Sequence, residues 1–410
     1  MTAPVHVVFA VPYALEASLR FARAAASLPD VRLAVVTQEE PDRLPEDLRR
    51  TLAGVETIGD ALDPDQLEAG VRRAARSLGG RVDRLIGVLE PLQVPMAQVR
   101  ERLSIRGMDA TEAVHFRDKA RMKDALRAAG IPCARHRLAS SPSDALAFAE
   151  DCGFPLVVKP PAGAGARGTF RIERAEDLQG YLESVPPTAS EPALLEEFVT
   201  GKEHSFDTVS LGGRHLLHSV SVYTPTPLEV LRSPWIQWKV VLPRSVDGPE
   251  FADIHAIGPR ALDALGMVTG ISHMEWFRRP DGSLAISEVG ARPPGAQFTS
   301  LLSWAHDMDF YAAWTRLLIH ERFDVPERRF SAGAVYLRGQ GKGVVVNVRG
   351  AREIADELGE TLVELRLPRN GQTPSNTYEG DGFAIARHPQ TEVVERALER
   401  VLATVRIELG

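Results

Sequence analysis

The chain has 410 residues, of which 44% are hydrophobic and 25% charged, and its net charge is −7. Such a length suits about two to three domains, with enough apolar material for a core in each. The charge balance gives no reason to expect nucleic acid or an anionic membrane as partner. No stretch approaches the ~18 apolar residues that a membrane helix needs. The two cysteines, Cys133 and Cys152, lack metal-like spacing. They read as reduced, partly buried thiols, and a cytoplasmic setting follows as the default.

Residues 5–9 form a short apolar run with no basic flank, a first strand rather than a signal peptide. An Ala-rich helix over 16–28, a strand over 31–36, an amphipathic helix over 65–78 and a strand over 84–89 come next. That alternation predicts a Rossmann-like, parallel α/β domain. The turn after the first strand, Ala10-Val11-Pro12-Tyr13, has no glycine fingerprint, so no dinucleotide is expected there. A helix over 118–129 stops at Gly130, and another over 143–152 stops at Gly153. Strands over 156–159, 169–172, 194–199, 205–210 and 215–223, with a helix over 175–183, make the middle an α+β segment. A helix over 251–265 leads into a hairpin. Beyond 321 lies a smaller α+β region with strands over 334–337 and 344–348 and a closing helix over 392–405. The domains expected are therefore 1–117, 118–320 and 321–410.

The loop Ala162-Gly163-Ala164-Gly165-Ala166-Arg167-Gly168-Thr169 contains G-x-G-x-x-G and nearly fits a Walker loop, but Thr169 stands where that motif has lysine. Both motifs must open a helix. Here Thr169-Phe170-Arg171-Ile172 reads as a strand, so the loop links two strands as a flap that can offer N–H groups to phosphates. The alternative is a surface hairpin with no ligand. Lys159 ends the apolar run before the loop, and a lysine so placed needs a partner such as phosphate. Lys119 and Lys123, on the preceding helix, would each pass alone for solvated surface charges.

Residues 271–288 carry the strongest chemical signal. Asp281-Gly282 reads as a two-residue hairpin loop, which sets Pro280 opposite Ser283 and Glu275 opposite Glu288. Opposed carboxylates repel and call for a cation, and together with phosphate oxygens and water they suit Mg²⁺. A slipped register or a protonated pair is the alternative. Glu288, Gly290 and Arg292 alternate onto one face, which would bring Arg292 near the carboxylates. There it could hold a phosphoryl group or an anionic intermediate, or simply pair with Glu288. His273 shares the parity of Glu275 and should face the same site, unless it is a structural histidine. Glu90, at the end of the 84–89 strand, stands where α/β domains bind ligands and could receive a substrate amine. Trp235, Trp238, Trp276 and Trp304 line an apolar pocket or belong to core and rim.

Taken in order, Lys119, Lys159 with its glycine loop, Leu195-Glu196-Glu197-Phe198-Val199-Thr200-Gly201-Lys202-Glu203, Glu275 and Glu288-Val289-Gly290-Ala291-Arg292 resemble the ATP-grasp superfamily. The segments Gly270-Ile271-Ser272-His273-Met274-Glu275 and Gly290-Ala291-Arg292 are similar to its amino-acid ligase branch. The resemblance implies an ATP-grasp fold. It assigns the phosphates of ATP to Lys119, Lys159 and the loop glycines Gly163, Gly165 and Gly168, and Mg²⁺ or Mn²⁺ to Glu275 and Glu288. It further implies that Glu196 and the backbone around Glu197, Phe198 and Val199 hold the adenine, and Glu203 the ribose. His273 would lie near the substrate and Arg292 would stabilise the reacting group. Gly290 departs from the family's frequent asparagine, so a metal must lose that ligand or replace it with water. The implied activity joins a carboxylate to an amine, amino acids among them, through an acyl phosphate, with ADP and phosphate released. A homodimer is compatible with this. A biotin carboxylase-like or purine-pathway carboxylating enzyme is the rival within the fold, and a nucleotide-binding regulator without chemistry is the rival outside it.

Overall fold

The computed structural model describes residues 3–163, 168–233 and 236–410. Gly165 and Trp235 lie outside the described residues. The N-terminal layer is a parallel sheet of β1 (Val5–Ala10), β2 (Val31–Thr37), β3 (Gly54–Thr57) and β4 (Arg84–Ile86), in the order β3-β2-β1-β4. The alternation of strand and helix thus gives the expected parallel α/β layer. The strand expected to run to Leu89 ends at Ile86, and Glu90 opens a short 3-10 turn, Glu90–Leu92.

A small antiparallel sheet follows, made of β5 (His136–Ala139), β6 (Leu156–Lys159), β7 (Phe170–Ile172) and β8 (Ala193–Glu197), in the order β5-β8-β6-β7. β6 pairs antiparallel with β7, Leu156 opposite Ile172, so the segment that follows Gly168 is a strand as expected. Helix Lys119–Ala128 begins at Asp118, whose carboxylate accepts from the amides of Ala120 and Arg121. Such an N-cap satisfies donors that the first helical turn leaves without partners.

The third layer is an eight-stranded sheet. It contains β9 (Lys202–Leu211), β10 (Arg214–Thr224), β11 (Trp238–Leu242), β12 (Gly270–Arg278), β13 (Leu284–Gly290) and β14 (Ser331–Leu337). Later in the chain, β15 (Val345–Arg349) pairs apart with β18 (Arg406–Leu409), while β16 (Leu362–Arg366) and β17 (Gly382–His388) complete the sheet. Its order is β13-β12-β9-β10-β11-β14-β17-β16. The boundary expected at 320/321 is therefore crossed by one hydrogen-bonded sheet, with Trp238 opposite Tyr336.

The two faces of this sheet differ. Phe206, Met274 and Trp276 point into a core roofed by helix Ala252–Leu265. On the other side Trp238 and Val240 share a core with Phe9, Leu33 and Trp314, which joins the N-terminal layer to the sheet. Trp314 sits on helix Phe310–His320, its ring 5.0 Å from Phe21 and 6.1 Å from Phe9. These packed aromatics exclude water across the layer boundary.

Burial draws His204, His218 and His306 each down to about 4. They are neutral in the fold, while the unfolded chain takes up their protons near pH 6.5. Their contribution to stability is complete above pH 6.5 and is lost as pH falls toward 4. Urea unfolding should show stability falling between pH 6.5 and 5, by up to about 1.4 kcal/mol per pH unit for each histidine. A flat profile over that interval would contradict their neutral burial.

Candidate active site

A cavity of about 820 Å³ opens between the small sheet and the eight-stranded sheet. Lys119, Lys159, Glu196, Glu203, Glu275 and Glu288 line it, as do Gly163, His273, Arg292 and Glu90. These site residues expected from sequence thus share one space, which Glu197, Phe198 and Val199 border too, whereas Gly168 is not among the residues that line it.

Glu275 does lie opposite Glu288, for a reason other than the expected turn. Arg278 pairs with Leu284, and Arg279 N–H donates to the Ser283 carbonyl at 2.8 Å, so the loop is Pro280-Asp281-Gly282 and not two residues. This shifts the register by one. A bulge between Glu275 and Trp276 then shifts it back. Such an insertion re-aims the side chains of a strand, and here the two departures cancel at the carboxylates.

Lys119 was expected to look like a surface charge in isolation. It is buried, with Nζ 2.8 Å from Glu288 Oε1 and donating to the Gly163 carbonyl at 2.9 Å. The Glu275–Glu288 wall thus carries the cation that its repulsion requires. Its two carboxylates also fit a Mg²⁺ that completes its shell with phosphate oxygens and water. Among the described residues no group of three His, Cys, Asp or Glu could hold a metal by itself. Gly290 supplies no ligand, and an added Cβ there would meet only Arg292 Cγ at 3.9 Å.

The Glu196 side chain, expected at the adenine, lines the cavity but is engaged by two lysines. Its carboxylate is buried, with Oε1 2.8 Å from Lys123 Nζ and Oε2 2.8 Å from Lys159 Nζ. Burial alone would raise its pKa, but the two lysines draw it down to about 2. Burial pulls the Lys123 ammonium down, whereas Lys159 ends up raised against its own burial by Glu196 and Glu288. Lys123, passed over in the sequence, is fully buried and also donates to the Ser287 carbonyl at 2.6 Å. A lysine one helical turn from Lys119 shares its face, and that spacing was the available signal.

The amides of Glu197 and Phe198 donate to the carbonyls of Arg135 and Pro155 at 2.9 and 3.2 Å, so a bound base could use neither. The Glu197 side chain is held by Arg279 and Arg135. Glu203 is buried at the cavity wall, and burial together with the neighbouring Glu275 pushes its carboxyl well above the usual range.

Glu90 is not a free acceptor for an amine. It is buried between Arg117, at 3.1 Å, and Arg292, at 2.6 Å. Arg292 pairs with Glu90 and not with Glu288, because β13 ends at Gly290 and the chain turns away before Arg292. His273 faces the cavity beside Glu275, as its parity required, with Nε2 3.8 Å from Glu275 Oε1. Its Nδ1 contacts Asp207 Oδ1 at 2.5 Å, and the Tyr223 hydroxyl lies 3.3 Å from Nε2. Burial alone would lower His273, but Asp207 and Glu275 raise it to about 10. Asp207 is a second residue the sequence reading missed. Its signal was the alternation Glu203, Ser205, Asp207 along one strand. Trp238, Phe298 and Tyr378 also line the cavity, and no local pattern announced Tyr378. Trp276 and Trp304 belong to core and rim.

Residues 124–301 match the model of the ATP-grasp domain. The chain carries an ATP-grasp domain. The match falls inside the expected central region, 118–320, and includes Lys159, Glu196, Glu275, Glu288 and Arg292. Over 228 residues the chain is 27% identical to an L-arginine-specific L-amino acid ligase of Bacillus subtilis, which covers 54% of each protein. It thus spans about half the length of that relative. Over 254 residues it is 25% identical to a D-alanine–D-alanine ligase of Pseudomonas putida, covering 59% of this chain and 75% of that one. Its fold matches that of an L-amino acid ligase from Bacillus licheniformis along the full length of both chains, with a TM-score of 0.81 at 18% identity. The ATP-grasp fold therefore extends beyond the matched domain to the N-terminal α/β layer and the C-terminal strands.

The buried ions of this ATP-grasp domain make a direct prediction. Lys123→Met leaves Glu196 with half its compensation, and breaking a buried pair costs about 3–5 kcal/mol. Urea titration at pH 7.5 should show a loss of this size. A loss under about 1 kcal/mol would mean that the lysine is not an anchor.

Proposed function

We propose that the protein is an ATP-dependent ligase that activates a carboxylate as an acyl phosphate and transfers it to an amine, with amino acids as the substrate class. The observation that carries this reading is the convergence of Lys119, Lys159, Glu275, Glu288 and Arg292 on one cavity. The amino-acid ligases among the relatives support the substrate class.

A carboxylate does not acylate an amine at neutral pH, because oxide is a poor leaving group. In the proposed reaction a carboxylate oxygen bonds to the terminal phosphorus of ATP and ADP departs. The amine then bonds to the acyl carbon, phosphate leaves and the amine gives up a proton. Phosphoryl transfer of this kind depends on positioning and charge stabilisation. Lys119 and Lys159 are the cations that would meet the phosphates. Glu275 and Glu288 would hold Mg²⁺, which neutralises charge on the transferring group when bound. Arg292, fixed by Glu90, would face the oxyanion formed as the amine attacks. His273, oriented by Asp207, would border the same substrate space.

Oxygen-18 in the substrate carboxylate should appear in the released phosphate, and hydroxylamine should trap a hydroxamate when the amine is omitted. Label in AMP with pyrophosphate released would indicate adenylation and overturn the mechanism. ADP release with bicarbonate but with no amino-acid pair would favour the carboxylating rival. Glu275→Gln and Glu288→Gln should each lower ADP formation by at least about 100-fold, the scale of one lost charge-stabilising group, and Glu288→Gln should lower the unfolding temperature as well, because it leaves the buried Lys119 ammonium without its carboxylate. Near-normal turnover in both would remove the metal site from the proposal.

A further inference from the structure

The corner between helix Ala110–Arg117 and helix Lys119–Ala128 lies against the start of the glycine loop. Lys119 N–H donates to the Pro161 carbonyl at 2.9 Å, and Lys119 Nζ reaches the Gly163 carbonyl. Arg117, which has no part in the reaction proposed above, adds a second set of contacts. Its Nη1 donates to the Gly163 carbonyl at 2.9 Å and to Glu90 Oε1 at 3.1 Å, and its Nη2 donates to the Ala162 carbonyl. The other oxygen of Glu90, Oε2, takes Arg292 Nη2 at 2.6 Å and Nε at 3.1 Å.

One buried carboxylate is thus divided between two guanidiniums. One grips the phosphate loop, and the other faces the substrate space. A guanidinium is planar, and its donors are set at fixed angles to one another. When Arg117 follows a displaced Gly163, Nη1 must move relative to Glu90 as well. Arg117 also stands at the end of a helix, where the chain turns at once into the Asp118 cap, so its backbone has little freedom to absorb the movement.

We infer that Arg117 is a positioning residue that couples the phosphate loop to the Glu90–Arg292 pair, so that nucleotide binding sets the arginine at the substrate end of the cavity. The inference rests on the proposed nucleotide site. Coupling of this kind is a free-energy link between two places with a physical connection, and the connection here runs Gly163, Arg117, Glu90, Arg292.

Hydrogen exchange with a non-hydrolysable ATP analogue and Mg²⁺ tests it without knowledge of the acid or the amine. In the wild-type chain the analogue should protect 160–163 and 168–172. It should also slow exchange at 90–93 and 290–295 by about fivefold or more, the lower range of coupling between sites. In Arg117→Met the first effect should persist and the second should disappear. Arg117→Lys keeps the charge but cannot span Ala162, Gly163 and Glu90 together, so it should behave like the methionine variant, and it provides the test if that variant fails to fold. A purely structural Arg117 would instead raise exchange in both regions with and without the analogue and leave the ratio unchanged. That result, or protection at 290–295 that survives in Arg117→Lys, overturns the coupling. Protection of the loop alone in the wild type also overturns it and leaves the nucleotide site standing. The absence of any protection, with no binding by calorimetry, overturns the nucleotide site too.

Discussion

Glu196 ties three parts of the chain together through its two carboxylate oxygens. It sits on β8 and pairs in register with Val157 of β6, and its two oxygens reach Lys159 on the same small sheet and Lys123 on a helix beyond it. Lys123 in turn donates to Ser287 of β13, in the large sheet. Three buried charges therefore join the small sheet, a helix and the large sheet. Burying ions is expensive, and only good geometry with further hydrogen bonds offsets the loss of water. The benefit is directional. Apolar packing would hold the layers together but would leave the angle of Lys159 free. A carboxylate with two filled oxygens fixes where that ammonium stands, and the glycine loop starts immediately after it.

The same economy of position governs the large sheet. Strand alternation sends Glu203, Ser205 and Asp207 to one face of β9 and His204, Phe206 and Thr208 to the other. The first set meets His273 and Glu275 across the β9–β12 pair, with Asp207 opposite His273 and Ser205 opposite Glu275. The second set packs under helix Ala252–Leu265. Gly258 of that helix admits Phe206 so closely that an added Cβ would lie 2.5 Å from the ring. A polar site and an apolar core thus share the two sides of one strand.

The parts of the sequence that could be read were those whose signal is local. The parallel alternation of the first hundred residues, the ends of helices at glycine and the strand Leu156–Lys159 followed from neighbouring residues alone. The face occupied by Glu275, Glu288 and His273 was also legible, although the register came out right through two offsetting departures that only the folded backbone reveals. What remained hidden depends on distant partners. A lysine in sequence carries no mark of burial, so Lys119 and Lys123 looked like surface residues. Glu90 looked vacant because Arg117 and Arg292 arrive from elsewhere in the chain. β11, β16 and β17 gave no period of their own that stood out, since a strand is stabilised by the neighbours it pairs with.

The passage of β11 into β14 has a consequence for the chain during synthesis. Trp238-Lys239-Val240-Val241-Leu242 is an apolar strand whose outer edge is covered only by Ala332–Tyr336, and β17 covers β14 in turn. Until those later strands leave the ribosome, the sheet presents a row of unpaired N–H and C=O groups on a hydrophobic edge, a template for pairing with another nascent chain. The last strands to emerge thus act as this sheet's own chaperone, and chains stalled or clipped before Ser331 are the ones expected to aggregate.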